Sequence, residues 1–172
     1  MKNLLIRSAI LEDIPQVVNI RIKGWQAAYK NIIDSNYLKS LDYDIERRIN
    51  KMKSNYKDGG FIVAEQNNEI VGFCRYMYDN SYSPSIDVDC EIMALYVRPD
   101  LKRQGIGSKM FNHVVEEFKS LNKKEMIIWC LKENYPSIEF YKVMGGNIVG
   151  EKDMEIGNIL YKEIGFKYNL RK

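Results

Sequence analysis

The run from Leu95 to Ser108, Leu-Tyr-Val-Arg-Pro-Asp-Leu-Lys-Arg-Gln-Gly-Ile-Gly-Ser, confines this chain to folds in which a strand feeds a helix through a tight loop. Leu95, Tyr96 and Val97 are apolar and strand-compatible, and Arg98-Pro99 ends the ladder because proline cannot donate to it. Two glycines then precede an amphipathic stretch. A helix starting near Gly105 or Ile106 leaves its first amide N–H groups without carbonyl partners, at the positive end of the macrodipole. Gly105 and Gly107 lack the Cβ atoms that would hold an anion off those amides, and Lys102 and Arg103 add positive charge at the rim. The segment is shaped to receive phosphate.

A glycine pair alone is weak evidence, since turns and helix caps use the same residues for backbone reasons. The spacing narrows the choice. A dinucleotide fingerprint needs a third glycine three residues after the second, and that position is Met110. A Walker loop needs Gly-Lys-Ser or Gly-Lys-Thr, and Gly107-Ser108-Lys109 reverses the order. Lys102-Arg103-Gln104-Gly105-Ile106-Gly107 instead resembles the acetyl-coenzyme A loop of the GNAT N-acetyltransferase superfamily, whose pattern is Arg or Gln, two residues, Gly, any residue, then Gly or Ala. Lysine at the first position is a departure that keeps the charge and loses the planar fork. Asn134, Phe140-Tyr141 and Gly145-Gly146 downstream match the family's spacing.

The periodicities place a strand at Leu4 to Ser8 and a helix from Glu12-Asp13 that Gly24 loosens or ends, with Ile14, Val17, Val18 and Trp25 near one face. Helical segments follow at Asp34 to Leu41 and Asp44 to Tyr56. Phe61 to Glu65 and Glu69 to Tyr78 form a hairpin through Gln66-Asn67-Asn68, and Ser81 to Ser85 is a polar loop. Strands are expected at Asp89 to Val97, Glu125 to Leu131, Asn147 to Glu151 and Ile159 to Tyr168. Helices are expected at Ser108 to Leu121, with Met110, Phe111, Val114, Val115, Phe118 and Leu121 inward, and at Pro136 to Met144. The resemblance covers nearly the whole chain. It implies one α/β acetyltransferase domain over residues 1–172, a mixed and mostly antiparallel sheet of about seven strands with a splayed central parallel pair, and about four helices on both faces.

The family's chemistry assigns roles to matching positions. Leu95, Tyr96 and Val97 would pair with the pantetheine amides like an added strand, and Lys102, Arg103, Gln104, Gly105, Ile106, Gly107 and Ser108 would hold the pyrophosphate. Trp129, Cys130 and Leu131 would line the opposite edge. Asn134 would cap a helix and bond the pantetheine arm, and Tyr141 would donate a proton to the departing thiolate. An alkyl amine has a pKa near 10.4, so deprotonating it at neutral pH costs roughly 4–5 kcal/mol and calls for a base. Glu91, on the strand before the loop, is the leading candidate, with Asp89 and Glu163 as substitutes. An ion-paired strand-end carboxylate is the plainer reading of Glu91.

Trp25 and Tyr29, four apart on a helix, could wall an amine pocket by cation–π contact or pack the helix on the sheet. Glu163 would face that pocket. His113 lies off the apolar helix face, Cys130 reads as a buried apolar residue, and Lys51, Lys53 and Lys57 read as a solvated helix face.

Composition excludes little beyond this. A net charge of +3, from 26 basic and 23 acidic residues, is too mild to argue for nucleic acid. Cys74, Cys90 and Cys130 suggest neither a disulfide framework nor a metal site, which fits a reducing cytoplasm. The amino terminus reads as a first strand rather than a leader, and no apolar run reaches the ~20 residues of a membrane span. Acetyl-coenzyme A is the implied cosubstrate, with no metal and no membrane partner, and the acceptor is a primary amine of a small molecule or peptide. An exposed sheet edge admits a homodimer. A non-catalytic acyl-coenzyme A binding module and an aminoacyl-tRNA acetyltransferase both stay open.

Overall fold

The structure, a computed structural model, describes residues 3–171. Seven strands form a single sheet in the order β1-β2-β3-β4-β5-β7-β6. They are β1 (Leu4–Ser8), β2 (Gly60–Gln66), β3 (Glu69–Met77), β4 (Cys90–Val97), β5 (Glu125–Leu131), β6 (Asn147–Ile156) and β7 (Ile159–Asn169). The helices are α1 (Ile14–Ala28), α2 (Ser35–Ser40), α3 (Ile45–Ser54), α4 (Ile106–Ser120) and α5 (Tyr135–Val143). They number five, and the two short helices after α1 fall on the segments expected at Asp34 to Leu41 and Asp44 to Tyr56. Asp34 separates them from α1 by accepting from the amides of Asn36 and Tyr37.

Two apolar layers hold the helices on the sheet. On one face Met110, Phe111, Val114 and Phe118 of α4 and Ile138 and Tyr141 of α5 bury against Cys90, Ile92, Met126 and Ile128. On the other, Ile14, Val17, Val18 and Ile22 of α1, with Leu38 and Met52, cover Val63, Phe73 and Leu131. Leu121, expected inward, is 50% exposed, because α4 ends at Ser120 and Asn122 turns the chain with a φ of 57°. The β2–β3 turn follows the asparagine argument, with Asn67 and Asn68 at φ 54° and 63°. Strand β6 continues past Glu151 to Ile156. Its charged run alternates across the strand, and Asp153 pairs with Lys162 of β7 at 2.7 Å.

The sheet opens at its centre. Strands β4 and β5 are its one parallel pair, joined only at Cys90–Met126, Glu91–Ile127 and Ile92–Ile128, while β4 continues along β3 and β5 along β7. Tyr76 lies opposite Ile92 and Arg75 opposite Ala94, so Met93 is an extra residue in β4. Such a bulge bends the strand that carries it, and this one sits where the parallel pairing stops.

Gly24 does not end α1, which runs through it to Ala28. A Cβ there would lie 2.9 Å from Cδ1 of Tyr96, whose ring stacks on Phe73 and whose hydroxyl accepts from Trp25 Nε1. Glycine lets α1 approach β4 closely. Gly24→Ala is therefore expected to lower stability. The helix-propensity gain of up to about 1 kcal/mol is outweighed by an overpacking cost of about 1–3 kcal/mol. A higher melting temperature for that variant would show that the Tyr96 ring yields.

Candidate active site

The divergence of β4 and β5 opens a cleft of about 450 Å³. Leu95, Tyr96 and Val97 line one wall, Lys102, Arg103, Gly105, Ile106, Gly107 and Ser108 one end, and Trp129, Cys130, Asn134, Phe140 and Tyr141 the other side. Gln104 stays outside, on the exposed crest of the loop. Past Ile92 the β5-facing edge of β4 has no strand partner, so its backbone groups face the cleft.

The loop has the conformation the glycines suggested. Gly105 is the α4 N-cap with φ 79°, Arg103 is also left-handed at φ 63°, and the first bond of α4 runs from Lys109 N–H to the Gly105 carbonyl. The amides of Ile106, Gly107 and Ser108 are thus the helix's unpaired first-turn donors. A Cβ at Gly107 would meet Phe140 and Val97 at 3.7 Å, an ordinary contact, and one at Gly105 nothing within 4 Å. Packing does not demand glycine at 107. Arg98, beside the loop, is tied to Asp100 and Glu69, which leaves Lys102 and Arg103 as the rim cations.

Strand β5 and helix α5 supply the far wall. Asn134 is buried, caps α5 by accepting from Ser137 N–H at 3.4 Å, and faces the cleft. Tyr141 is 7% exposed, and burial beside Cys130, Tyr96 and Tyr29 holds its phenol protonated, well above its ordinary pKa. The Cys130 thiol in the same wall is pushed up to about 12 by burial. Tyr29 also reaches the cleft, its phenol pushed up by burial and set beside Tyr96 and Asn134. Trp25 does not line it. The indole stands behind Tyr96, donating to its hydroxyl at 2.8 Å and meeting Tyr29 edge-on at 5.1 Å.

The carboxylates separate by role. Asp89 accepts from the amides of Lys124 and Glu125 at the start of β5, and the Lys124 bond leads in holding its pKa down. It is a backbone anchor. Glu91 is 3% exposed and is not among the residues lining the cleft, with Oε2 buried and without a hydrogen-bond partner. Burial raises its pKa, and Ser83 opposes that shift. Ser83, read from the sequence as plain loop, is buried and accepts from Trp129 Nε1 at 2.9 Å. Glu163 likewise is not among the lining residues; its pKa is raised by burial, and Lys152 Nζ lies 3.7 Å from its Oε2 and 4.3 Å from the Trp129 ring centroid. A primary ammonium thus rests on an aromatic face beside a carboxylate, next to the cleft. Neither Ser83 nor Lys152 carries a signal in the sequence, since both reach the site through long-range folding.

Among the described residues no group of three or more His, Cys, Asp or Glu could hold a metal ion, and no helix is long and apolar enough to cross a membrane.

Known proteins share this fold. The chain is 29% identical over 160 residues to the uncharacterized N-acetyltransferase YuaI of Bacillus subtilis, covering 93% of this chain and 90% of that one. The PaiA N-acetyltransferase of Thermoplasma acidophilum, solved in complex with coenzyme A, superposes with a TM-score of 0.70 at 18% identity, over 94% of this chain and 98% of that one. YncA, a putative acetyltransferase of Salmonella typhimurium solved with acetyl-CoA, gives 0.69 at 16% identity, over 99% and 95%. The model of the acetyltransferase (GNAT) family matches residues 25–145, which spans the bulged strand, the glycine loop and the Tyr141 helix, and the chain belongs to that family.

Proposed function

We propose that this protein transfers an acetyl group from acetyl-coenzyme A to a primary amine of a small molecule or peptide, directly and in a ternary complex. The observation that carries the reading is one continuous cleft running from the open α4 N-terminus, along the unpaired edge of β4, to Tyr141 and Trp129. Its parts suit the parts of the cosubstrate. Unpaired amides and Lys102 and Arg103 suit a pyrophosphate, and a free strand edge with Asn134 suits an arm of alternating amides.

In the transfer the amine nitrogen bonds to the acetyl carbon and the carbon–sulfur bond breaks, leaving a thiolate that must be protonated. Tyr141 supplies that proton. Burial raises the phenol's pKa, but the same dry wall raises the Cys130 thiol, so a thiolate placed there is destabilised too and draws the phenol proton more strongly than it would in water. The amine must also lose a proton. Glu91, which does not line the cleft, takes it through a relaying water, with Glu163 nearby, because burial moves both carboxyls toward the working range. The Lys152 ammonium over Trp129 indicates the kind of group this corner receives.

A thiol-release assay with acetyl-coenzyme A against alkylamines, arylamines, amino acids and peptides tests the reading. Turnover with primary amines is expected. Coenzyme A binding with no thiol release across the panel would replace it with a non-catalytic binding module. Glu91→Gln should lower turnover by ~10²-fold and remove the acid limb of its pH profile. The folded state holds the Glu91 proton more tightly than the unfolded chain, so its contribution to stability is full at low pH and is lost as pH rises through the raised pKa. Glu91→Gln should accordingly raise the melting temperature at pH 8 and change it little at pH 4. An unaltered pH profile in the variant would remove Glu91 from the reaction.

A further inference from the structure

A second cavity, of about 190 Å³, lies between α1, α3 and β3 on the far side of Trp25. Its walls carry Arg21, Arg48, Lys51 and Arg75, with Trp25 and Tyr37, and no carboxylate is among its lining residues. Arg21 and Lys51 are exposed and water answers their charge, but Arg48 and Arg75 are half-buried, where like charges repel and need an answer from within. Of these two guanidiniums the protein itself answers Arg75. Its Nη1 donates to Asn55 Oδ1 at 3.1 Å, its Nη2 donates to the Asn55 carbonyl at 2.8 Å, and the guanidinium lies 5.2 Å from the Phe61 ring centroid. Burial still weakens the charged form of Arg75, and Arg21 weakens it further, while Asp58 outside the cavity partly offsets both. Arg48 Nε is buried with no hydrogen-bond partner.

We propose that this cavity binds an oxyanion, a carboxylate or phosphate group, carried either by the acceptor molecule or by a separate small effector. The space equals roughly six waters, enough for such a group. Arg75 is pre-set by Asn55 and Phe61, Arg48 presents an unused donor, and Arg21 and Lys51 add positive charge from the exposed side of the lining. Guanidinium donors match oxyanions in plane and spacing. The site reports to the cleft through one residue, since Trp25 walls the cavity and donates to the hydroxyl of Tyr96, which lines the cleft. The choice between the two carriers rests on the acetyl-transfer reading. The binding itself does not.

Inorganic phosphate is the probe, titrated while the Nε–H resonances of Arg48 and Arg75 are followed by NMR in the Gly107→Glu background, where the glycine loop is blocked. We expect saturable single-site shifts, about tenfold weaker in Arg21→Gln and in Arg48→Gln, and largely restored in Arg48→Lys. Absence of saturation at both resonances, or undiminished affinity in both Gln variants, overturns the proposal. In the otherwise native enzyme, thiol release with an amine and its carboxylate-bearing analogue identifies the carrier. An acceptor's own oxyanion makes Arg48→Gln raise KM about tenfold for the charged analogue alone. A separate effector makes phosphate change turnover of both, and Arg48→Gln abolishes that response. Phosphate binding without any thiol release counts against acetyl transfer and leaves the oxyanion site standing.

Discussion

Gly107→Glu is expected to lower coenzyme A affinity by about two orders of magnitude while leaving the fold intact, because losing charge-assisted bonds costs roughly 1.5–3 kcal/mol each. The structure separates these two effects. A Cβ at 107 meets only ordinary 3.7 Å contacts with Phe140 and Val97, so the substitution fits the protein. The carboxylate, however, stands where the amides of Ile106, Gly107 and Ser108 are open, and it takes the place and the sign of a phosphate. Calorimetric titration with coenzyme A, beside a melting curve, reads both. Full affinity in a folded variant would refute the loop assignment. A loss of melting temperature in parallel with affinity would mean that glycine 107 serves packing instead.

Tyr141→Phe is expected to reduce turnover by ~10²-fold with coenzyme A affinity nearly unchanged, since general acids typically contribute 10²–10⁴-fold. Removing the hydroxyl should leave the packing in place. The ring contacts Phe140 and Phe166, and the bond from the Tyr168 hydroxyl goes to the Tyr141 backbone carbonyl, which phenylalanine keeps. The defect therefore belongs to kcat. Replacing the acetyl thioester by one whose thiol is more acidic should recover part of the lost rate, because a weaker base needs its proton less. Equal rates for the two proteins would exclude Tyr141 as the acid.

The legibility of the fold followed the range of the forces that set it. The β2–β3 hairpin and the α4 start were legible because asparagine and glycine act on their own φ angles, as the observed 54°, 63° and 79° show. The buried faces of α1 and α4 were legible because burial imposes a 3.6-residue period on the chain itself. Gly24 was misread for the opposite reason. Its local preference argues for a break, and the close approach of Tyr96, 72 positions away, holds it in a helix. β6 was read short because its charges resemble a turn until paired with β7.

The site divides in the same way. Lys102 to Ser108 is contiguous, so its loop geometry was written in residue order, and Asn134 and Tyr141 follow at fixed spacing on a capped helix. Carboxylate roles were not legible. Asp89, Glu91 and Glu163 look alike in sequence, and only burial, the Lys124 and Glu125 amides and the Ser83 and Lys152 contacts tell an anchor from a raised acid. Lys51 is exposed, as its place on α3 reads, and it also borders a cavity that α1 and β3 complete with Arg21 and Arg75. By itself, then, the sequence determined the glycine loop, the strand that feeds it and the family fold, because backbone preference and periodicity act over a few residues. The tertiary structure alone decided which acids are dry, where a primary ammonium rests and where four cations meet. Desolvation and charge depend on neighbours distant in the chain, and no local pattern encodes them.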